Sequence, residues 1–420
     1  MNAHLKIALF LKKNTTLFII ILCVFFYAPA LANKKADSLR ALLTKQSTDD
    51  TTKIQLLYSL SGAYKDIDLD SVAYFAKEGL QLSEKINFDK GIAFCSQELG
   101  LVYLRKDIYD SAIKYYHRAL DIYEKNNEKE RETQIYLCMG DIYYRQANYN
   151  SSLENYNKTI ALCEKVNDLK TEGLALIDIG GIYSDQSNFM EAINYYLKGL
   201  KVFERLNDKS GISMTLINIG TIYSAMGNYK VALDYVNKSI PITKEVSNKE
   251  VIFSNLVNTG VIYGQGKDYK NALNAYYTGL SIADSMGDKS WQNVCLVNIA
   301  DVYFQMGSYD TAYITYTELE KRSEEQHDIT ILVSSKSAIG AILIKKGKIR
   351  EGIKELKEAI DIAIDKQIKQ SVFNAAKDLS DAYEQLHDYP NALKYHKIYY
   401  DYRDSLYNEK KRQANSAVTI

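Results

Sequence analysis

Between residues 217 and 240 the chain reads INIGTIYSAMGNYKVALDYVNKSI, with apolar positions recurring three and four apart, the spacing of one helix face. Gly227-Asn228 divides this run, which predicts two short amphipathic helices joined by a tight turn. Small residues stand inside each half, Gly220 in the first and Ala232 in the second, among Ile219, Tyr223, Tyr229, Leu233 and Ile240. Gly in a helix interior costs about 1 kcal/mol relative to Ala. Its place in a periodic pattern therefore predicts close approach of a neighbouring backbone.

The pattern recurs. The small position is Gly100, Gly140, Gly180, Gly220, Gly260, Ala300, Gly340 and Ser380, spaced 40 residues apart. Three residues later stand Tyr103, Tyr143, Tyr183, Tyr223, Tyr263, Tyr303, Leu343 and Tyr383. The second helix repeats a small residue at Ala112, Ser152, Ala192, Ala232, Ala272, Ala312, Gly352 and Ala392. A fixed period of this kind means one supersecondary unit stacked on copies of itself.

Small residue, Tyr at +3, Ala at +12, aromatic at +16 (Tyr116, Tyr156, Tyr196, Tyr276, Tyr316) and small residue at +19 (Ala119, Gly199, Gly279, Ala359) resemble the tetratricopeptide repeat. The resemblance covers roughly residues 51 to 407. It implies an all-α, right-handed superhelical solenoid of about nine helix-turn-helix units, here with a 40-residue period. The family unit is usually about 34 residues, so the second helix and the connection after it are expected to be longer here. Ala36 to Lys45 reads as a leading helix, residues 33–50 as a cap, and 408–420 as a flexible tail without a core-forming pattern.

Several local features qualify this array. Asp168, Asp208 and Asp288 stand at helix starts and are expected N-caps. Pro241 falls inside a second helix, where it cannot donate to the carbonyl of Asn237, so a kink or early stop is expected. The abundance of tyrosine, 35 in all, is absorbed by the repeat positions and reads as packing.

Residues 1–32 differ in kind. Lys6, Lys12 and Lys13 precede an uncharged apolar run from Leu17 to Tyr27, and Ala30-Leu31-Ala32 supplies a small-x-small cleavage pattern. This predicts a secretory signal peptide cut near Ala32 and export to the periplasm or beyond, the alternative being an amino-terminal membrane anchor. Cleavage takes the formal charge from 0 to −3. A near-neutral chain with no basic stripe argues against nucleic acid as a partner. Cys95, Cys138, Cys163 and Cys295 form no short-spaced pair and read as small buried hydrophobes, the alternative being a Cys95–Cys138 bridge between adjacent first helices in an oxidising compartment.

No phosphate-cradling loop, nucleophile motif or metal-ligand spacing occurs, so no catalytic group, metal or cofactor is expected. The expected partner is a protein or peptide. In the resembling family the first helices line a concave face. Three residues before the small position, Leu137, Ile177, Ile217, Val257 and Val297 are expected to form an apolar strip there. Two before it stand Asp178, Asn218, Asn258 and Asn298. A side-chain amide both donates and accepts, so an asparagine ladder could hold the backbone of an extended peptide without reading its sequence. Asp141, Asp301 and Asp381, one residue after the small position, would add acidity to the same face. The opening DSLRALLTKQSTDDTTKIQLLYSLSGAY and the closing YYDYRDSLYNEKKRQ are also similar to the periplasmic tetratricopeptide sensor regions of bacterial two-component and transcriptional receptors. That likeness implies a signal-transduction input module with a membrane-bound partner, as the alternative to a free-standing scaffold.

Overall fold

The computed structural model describes residues 27–416 apart from 47, 66 and 67, with side chains described from 36 to 406. Residues 1–26, and with them most of the expected signal peptide, lie outside the described residues. Among the described residues the secondary structure is helical throughout, with no strand. The chain divides into two compact units, residues 1–146 with 154–168 and residues 147–153 with 169–420.

In the first unit α1 (Tyr27–Lys45) precedes the hairpins α2 (Thr51–Tyr64) with α3 (Leu69–Lys85) and α4 (Asp89–Arg105) with α5 (Tyr109–Lys125). They are followed by α6 (Lys129–Arg145) and the greater part of α7 (Tyr149–Val166). The second unit is six further hairpins. These are α8 (Leu169–Asp185) with α9 (Phe189–Leu206), α10 (Lys209–Ala225) with α11 (Tyr229–Thr243), and α12 (Lys249–Gln265) with α13 (Tyr269–Met286). The last three are α14 (Lys289–Gln305) with α15 (Tyr309–Gln326), α16 (Ile329–Lys345) with α17 (Ile349–Asp365), and α18 (Lys369–Gln385) with α19 (Tyr389–Ser416). Two helix ends differ from the sequence expectation: α1 starts nine residues before Ala36, and α19 runs into the segment read as a tail.

From α3 to α18 every helix but α11 ends in the same way. A residue of positive φ recurs every 20 positions, from Asn87 (52°) through Asn207 (53°) and Gly307 (75°) to His387 (57°). Most of these are not glycine, and Asn serves at four of them, as suits a left-handed C-cap. Position 247 is the exception in this series. It follows α11, which Pro241 shortens to 15 residues against 18 in α9, α13 and α15. The amides that follow close tight turns instead, Glu245 onto Ile242 and Val246 onto Thr243. At the helix starts, Asp208 accepts from the amides of Ser210 and Gly211, and Asp288 from that of Trp291, as expected of N-caps.

The regular spacing of small residues acts on rings more than on backbones. A Cβ built on Gly100, Gly140, Gly180 or Gly260 would come within 2.7 Å of the tyrosine at +16 in the second helix of the same hairpin. Those rings are almost wholly buried, Tyr116 and Tyr156 at 1% exposure. Burying one aromatic side chain contributes about 2–3 kcal/mol, which outweighs the roughly 1 kcal/mol helix cost of the Gly that admits it. Gly220 and Gly352 do face backbone, the carbonyls of Ala232 and Gly340. The tyrosine at +3 stacks on the aromatic at +15 in four hairpins, with centroids 5.4–5.7 Å apart (Tyr103–Tyr115, Tyr183–Tyr195, Tyr223–Tyr235, Tyr383–Tyr395). The four cysteines of the described chain are free thiols, so no Cys95–Cys138 bridge is present, and burial pushes the Cys95 thiol up to about 12.

Candidate binding face

Helix geometry decides which side of each first helix can meet a partner. At about 100° per residue, the −2 position lies about 160° from the small residue and so opposite the second helix. The −3 position lies only about 60° away, beside the hairpin seam. In the second unit the first helices α8, α10, α12, α14, α16 and α18 lie next to one another, so their −2 positions form a row.

The row holds Asp178, Asn218, Asn258 and Asn298, all half-buried. Asn298 donates to the carbonyl of Val294 in its own helix at 2.8 Å. Asn218 and Asn258 make no side-chain hydrogen bond with a described residue. The row continues beyond the sequence reading, to Ala338 on α16 and Asp378 on α18. Both stand two residues before the small positions Gly340 and Ser380, so the period itself locates them. In the first unit this slot carries Glu98 and Cys138; Glu98 is 6% exposed, and its Oε2 has no hydrogen-bond partner.

The expected apolar strip is only partly present. Val257 and Val297 are half-buried, as is Leu137 in the first unit. Ile217 is fully buried against Val236 and Ile262, and Ile177 packs among Ala192, Tyr196 and Ile219. Both belong to the core between helices, as a position only about 60° from the seam would lead one to expect. They are not offered to a partner in this conformation.

Between α14, α16 and α18 the same face opens into a hollow of about 360 Å³. It exists because α16 presents Ser337, Ala338 and Ala341, none large enough to fill the gap. Asp301 lines one side and Asp378 with Lys377 the other. The Tyr316 hydroxyl donates to Asp301. Burial raises the Asp301 pKa above the ordinary value of 3.8, a shift that this hydrogen bond opposes. Asp378 is raised chiefly by burial and then by Asp381, with Lys377 and Lys345 pulling the other way. Ser337 Oγ is shut off from solvent and has no hydrogen-bond partner.

A second cavity, of about 290 Å³, lies among α11, α12 and α13 where Pro241 cuts α11 short. It is bordered by Thr243, Asn255 and Asn274. Asn255 is satisfied there, donating to Ser213 at 3.0 Å and Thr243 at 3.1 Å. Among the described residues no three His, Cys, Asp or Glu side chains converge on a point, and no helix is long and apolar enough to cross a membrane.

The model of the tetratricopeptide repeat family matches residues 92–165 and 171–245. Those residues carry tetratricopeptide repeats. The model described as anaphase-promoting complex subunit 5 matches residues 256–346. Among curated proteins none matches by sequence. Solved structures share the fold of this repeat array. The apo form of RapI superposes with a TM-score of 0.59 at 15% identity, covering 90% of this chain and 99% of its own. A Rap protein complexed with competence and sporulation factor gives 0.55 at 16% identity, covering 86% and 100%. The Rap conjugation gene regulator of plasmid pLS20, in complex with the Phr* peptide, gives 0.52 at 15%, covering 86% and 97%. At such identities the likeness establishes the solenoid and no more.

Proposed function

We propose that this repeat array is an exported, non-catalytic scaffold that holds an extended peptide along the first-helix face of its second unit. The observation carrying this reading is the pair of unspent amides on successive helices, Asn218 on α10 and Asn258 on α12. Each can donate to a carbonyl and accept from an N–H of a strand-like chain laid across the helices, while the half-buried Val257 and Val297 supply apolar contact beside them. Asn298 would join by exchanging its hydrogen bond to the Val294 carbonyl for one to the peptide. Backbone recognition of this kind is sequence-tolerant. The structural likeness to Rap proteins, two of them solved with a bound factor or peptide, supports the same reading.

The test exposes purified protein to a random decapeptide pool and quantifies what is retained by mass spectrometry. Replacing Asn218, Asn258 and Asn298 together by Ala removes three hydrogen-bonding groups at about 0.5–1.5 kcal/mol each. Retention should fall about 100-fold at the middle of that range, while circular dichroism and melting stay as in the parent. Undiminished retention would overturn the reading, and so would unfolding of the variant, because the amides would then be structural. Export is tested separately, by fractionating cells that express the full chain and sequencing the mature amino terminus for a cut near Ala32.

A further inference from the structure

The hollow at Ala338 interrupts the amide row with different chemistry. The row supplies neutral donors and acceptors, whereas the hollow brings Asp301 and Asp378 to a recess floored by small side chains. Asp378 is half-buried and its pKa is raised by burial, whereas Asp301 is more exposed and is the one of the two with a hydrogen-bond donor, the Tyr316 hydroxyl. Asp378 makes no hydrogen bond with a described residue. The orphan hydroxyl of Ser337 adds an acceptor that nothing in the protein uses. A desolvated carboxylate without a partner is costly, and a hydrogen-bonding cation is the group that relieves it best. The charged neighbours do not fill this role: Lys377 is exposed at the rim and Lys345 acts on Asp378 without a hydrogen bond, while Asp381 adds further negative charge.

We propose that this hollow is a recessed seat for an organic cation of the alkylammonium or alkylguanidinium class. On the peptide reading, on which this part rests, the cation is a lysine or arginine side chain of the bound peptide, anchoring an otherwise sequence-tolerant interaction at one point. The volume of about 360 Å³ accommodates a side chain of that length, and Ala338 and Ala341 offer its methylenes an apolar floor.

The seat is tested directly with n-butylammonium and n-butylguanidinium, and with n-butanol as the uncharged control. Each is titrated into full-length protein carrying 13C-labelled aspartate, with the Asp301 and Asp378 carboxyl resonances assigned from D301N and D378N. The expected result is a saturable shift of both resonances with one or both cations and none with butanol. A difference between the two cations says which side chain the seat prefers. Asp378→Asn should weaken the cation by about tenfold or more, the loss of one charge-assisted bond. Ala338→Leu, which fills the recess, should abolish binding with the helical signal intact. No saturable shift, or an equal one with butanol, overturns the proposal. The decapeptide pool separates the two ideas: retained peptides without enrichment in Lys or Arg sink the anchor and leave the groove standing. Cation binding with no peptide retained sinks the groove and leaves a small-cation site.

Discussion

Three tyrosines occupy one slot in different hairpins but face different partners, so together they separate a hydroxyl's bonding from its packing. Tyr156 donates to Asp141 at 2.7 Å and Tyr316 to Asp301, whereas Tyr116 has Leu101 where the others have aspartate, and its hydroxyl is buried without a partner near the Cys138 thiol. All three rings are at most 3% exposed, so Tyr→Phe removes the same atom from equally packed sites. A hydrogen bond to a charged group contributes about 1.5–3 kcal/mol, and an unsatisfied buried hydroxyl costs about 1–3 kcal/mol. Tyr316→Phe should therefore destabilise its surroundings by about 2 kcal/mol, and Tyr156→Phe by a similar amount. Tyr116→Phe should be neutral or stabilise by up to about 1 kcal/mol. A long repeat array need not unfold in one step, so the readout is local: amide hydrogen exchange in α14 and α15 for Tyr316, and in α4 and α5 for Tyr116. At 1.36 kcal/mol per decade, 2 kcal/mol is about a 30-fold faster opening. The Tyr316→Phe loss should shrink below the raised Asp301 pKa, where the carboxyl is protonated and no longer needs the donor. Tyr116→Phe should show no such pH dependence. Equal losses at Tyr116 and Tyr316 would refute the reasoning, because packing and not partnership would then set the effect.

Three further outcomes are expected. Asp301 binds its proton more tightly in the folded chain than unfolded, so its contribution to stability falls as pH rises from 3.8 through the raised value; Asp301→Asn, which keeps an acceptor for Tyr316, should flatten that part of a pH–stability curve and melt higher at neutral pH. Pro241→Ala should lengthen α11 by about three residues, towards the 18 of its neighbours, seen as a left-handed cap at 247 in a crystal structure and as slowed exchange at 244–246. It should also raise stability by about 1–3 kcal/mol, the upper figure being the full helix cost of Pro. Lys336 on α16 reaches Glu320 at 2.7 Å, Glu358 at 2.9 Å and Glu355 at 3.5 Å with only 12% of its side chain exposed, so Lys336→Met should leave three carboxylates of α15 and α17 repelling one another. The expected loss is about 1–3 kcal/mol at low salt, smaller in high salt, and smaller again as pH falls and Glu358, now held below its usual 4.5 by Lys336, becomes protonated.

How much of this molecule could be read from its sequence follows from which interactions are local in the repeat. The hairpins were legible because each depends on residues within one 40-residue unit: the ring at +16 sits on the small residue of its own hairpin, and the stacked tyrosines at +3 and +15 share one. The glycine, expected to admit a neighbouring backbone, mostly admits a ring, because composition shows that room is made and not for what. The −2 positions recur with the same period, yet of the five residues expected to form the strip beside them two, Ile177 and Ile217, are buried in the core. Ile177 and Ile217 stand in the same slot as Val257 and Val297, and the difference between core and surface lies in how the neighbouring hairpin packs on each. That information is spread over residues 40 positions away and has no signature at the slot itself. The hollow at Ala338 was hidden further still, because it is produced by small side chains on one helix and is lined by acids from the helices before and after it. Periodicity therefore reports what every unit has in common, whereas specificity in a repeat protein lies where one unit departs from its neighbours. Here such departures are Pro241 and Ala338, and each coincides with a cavity.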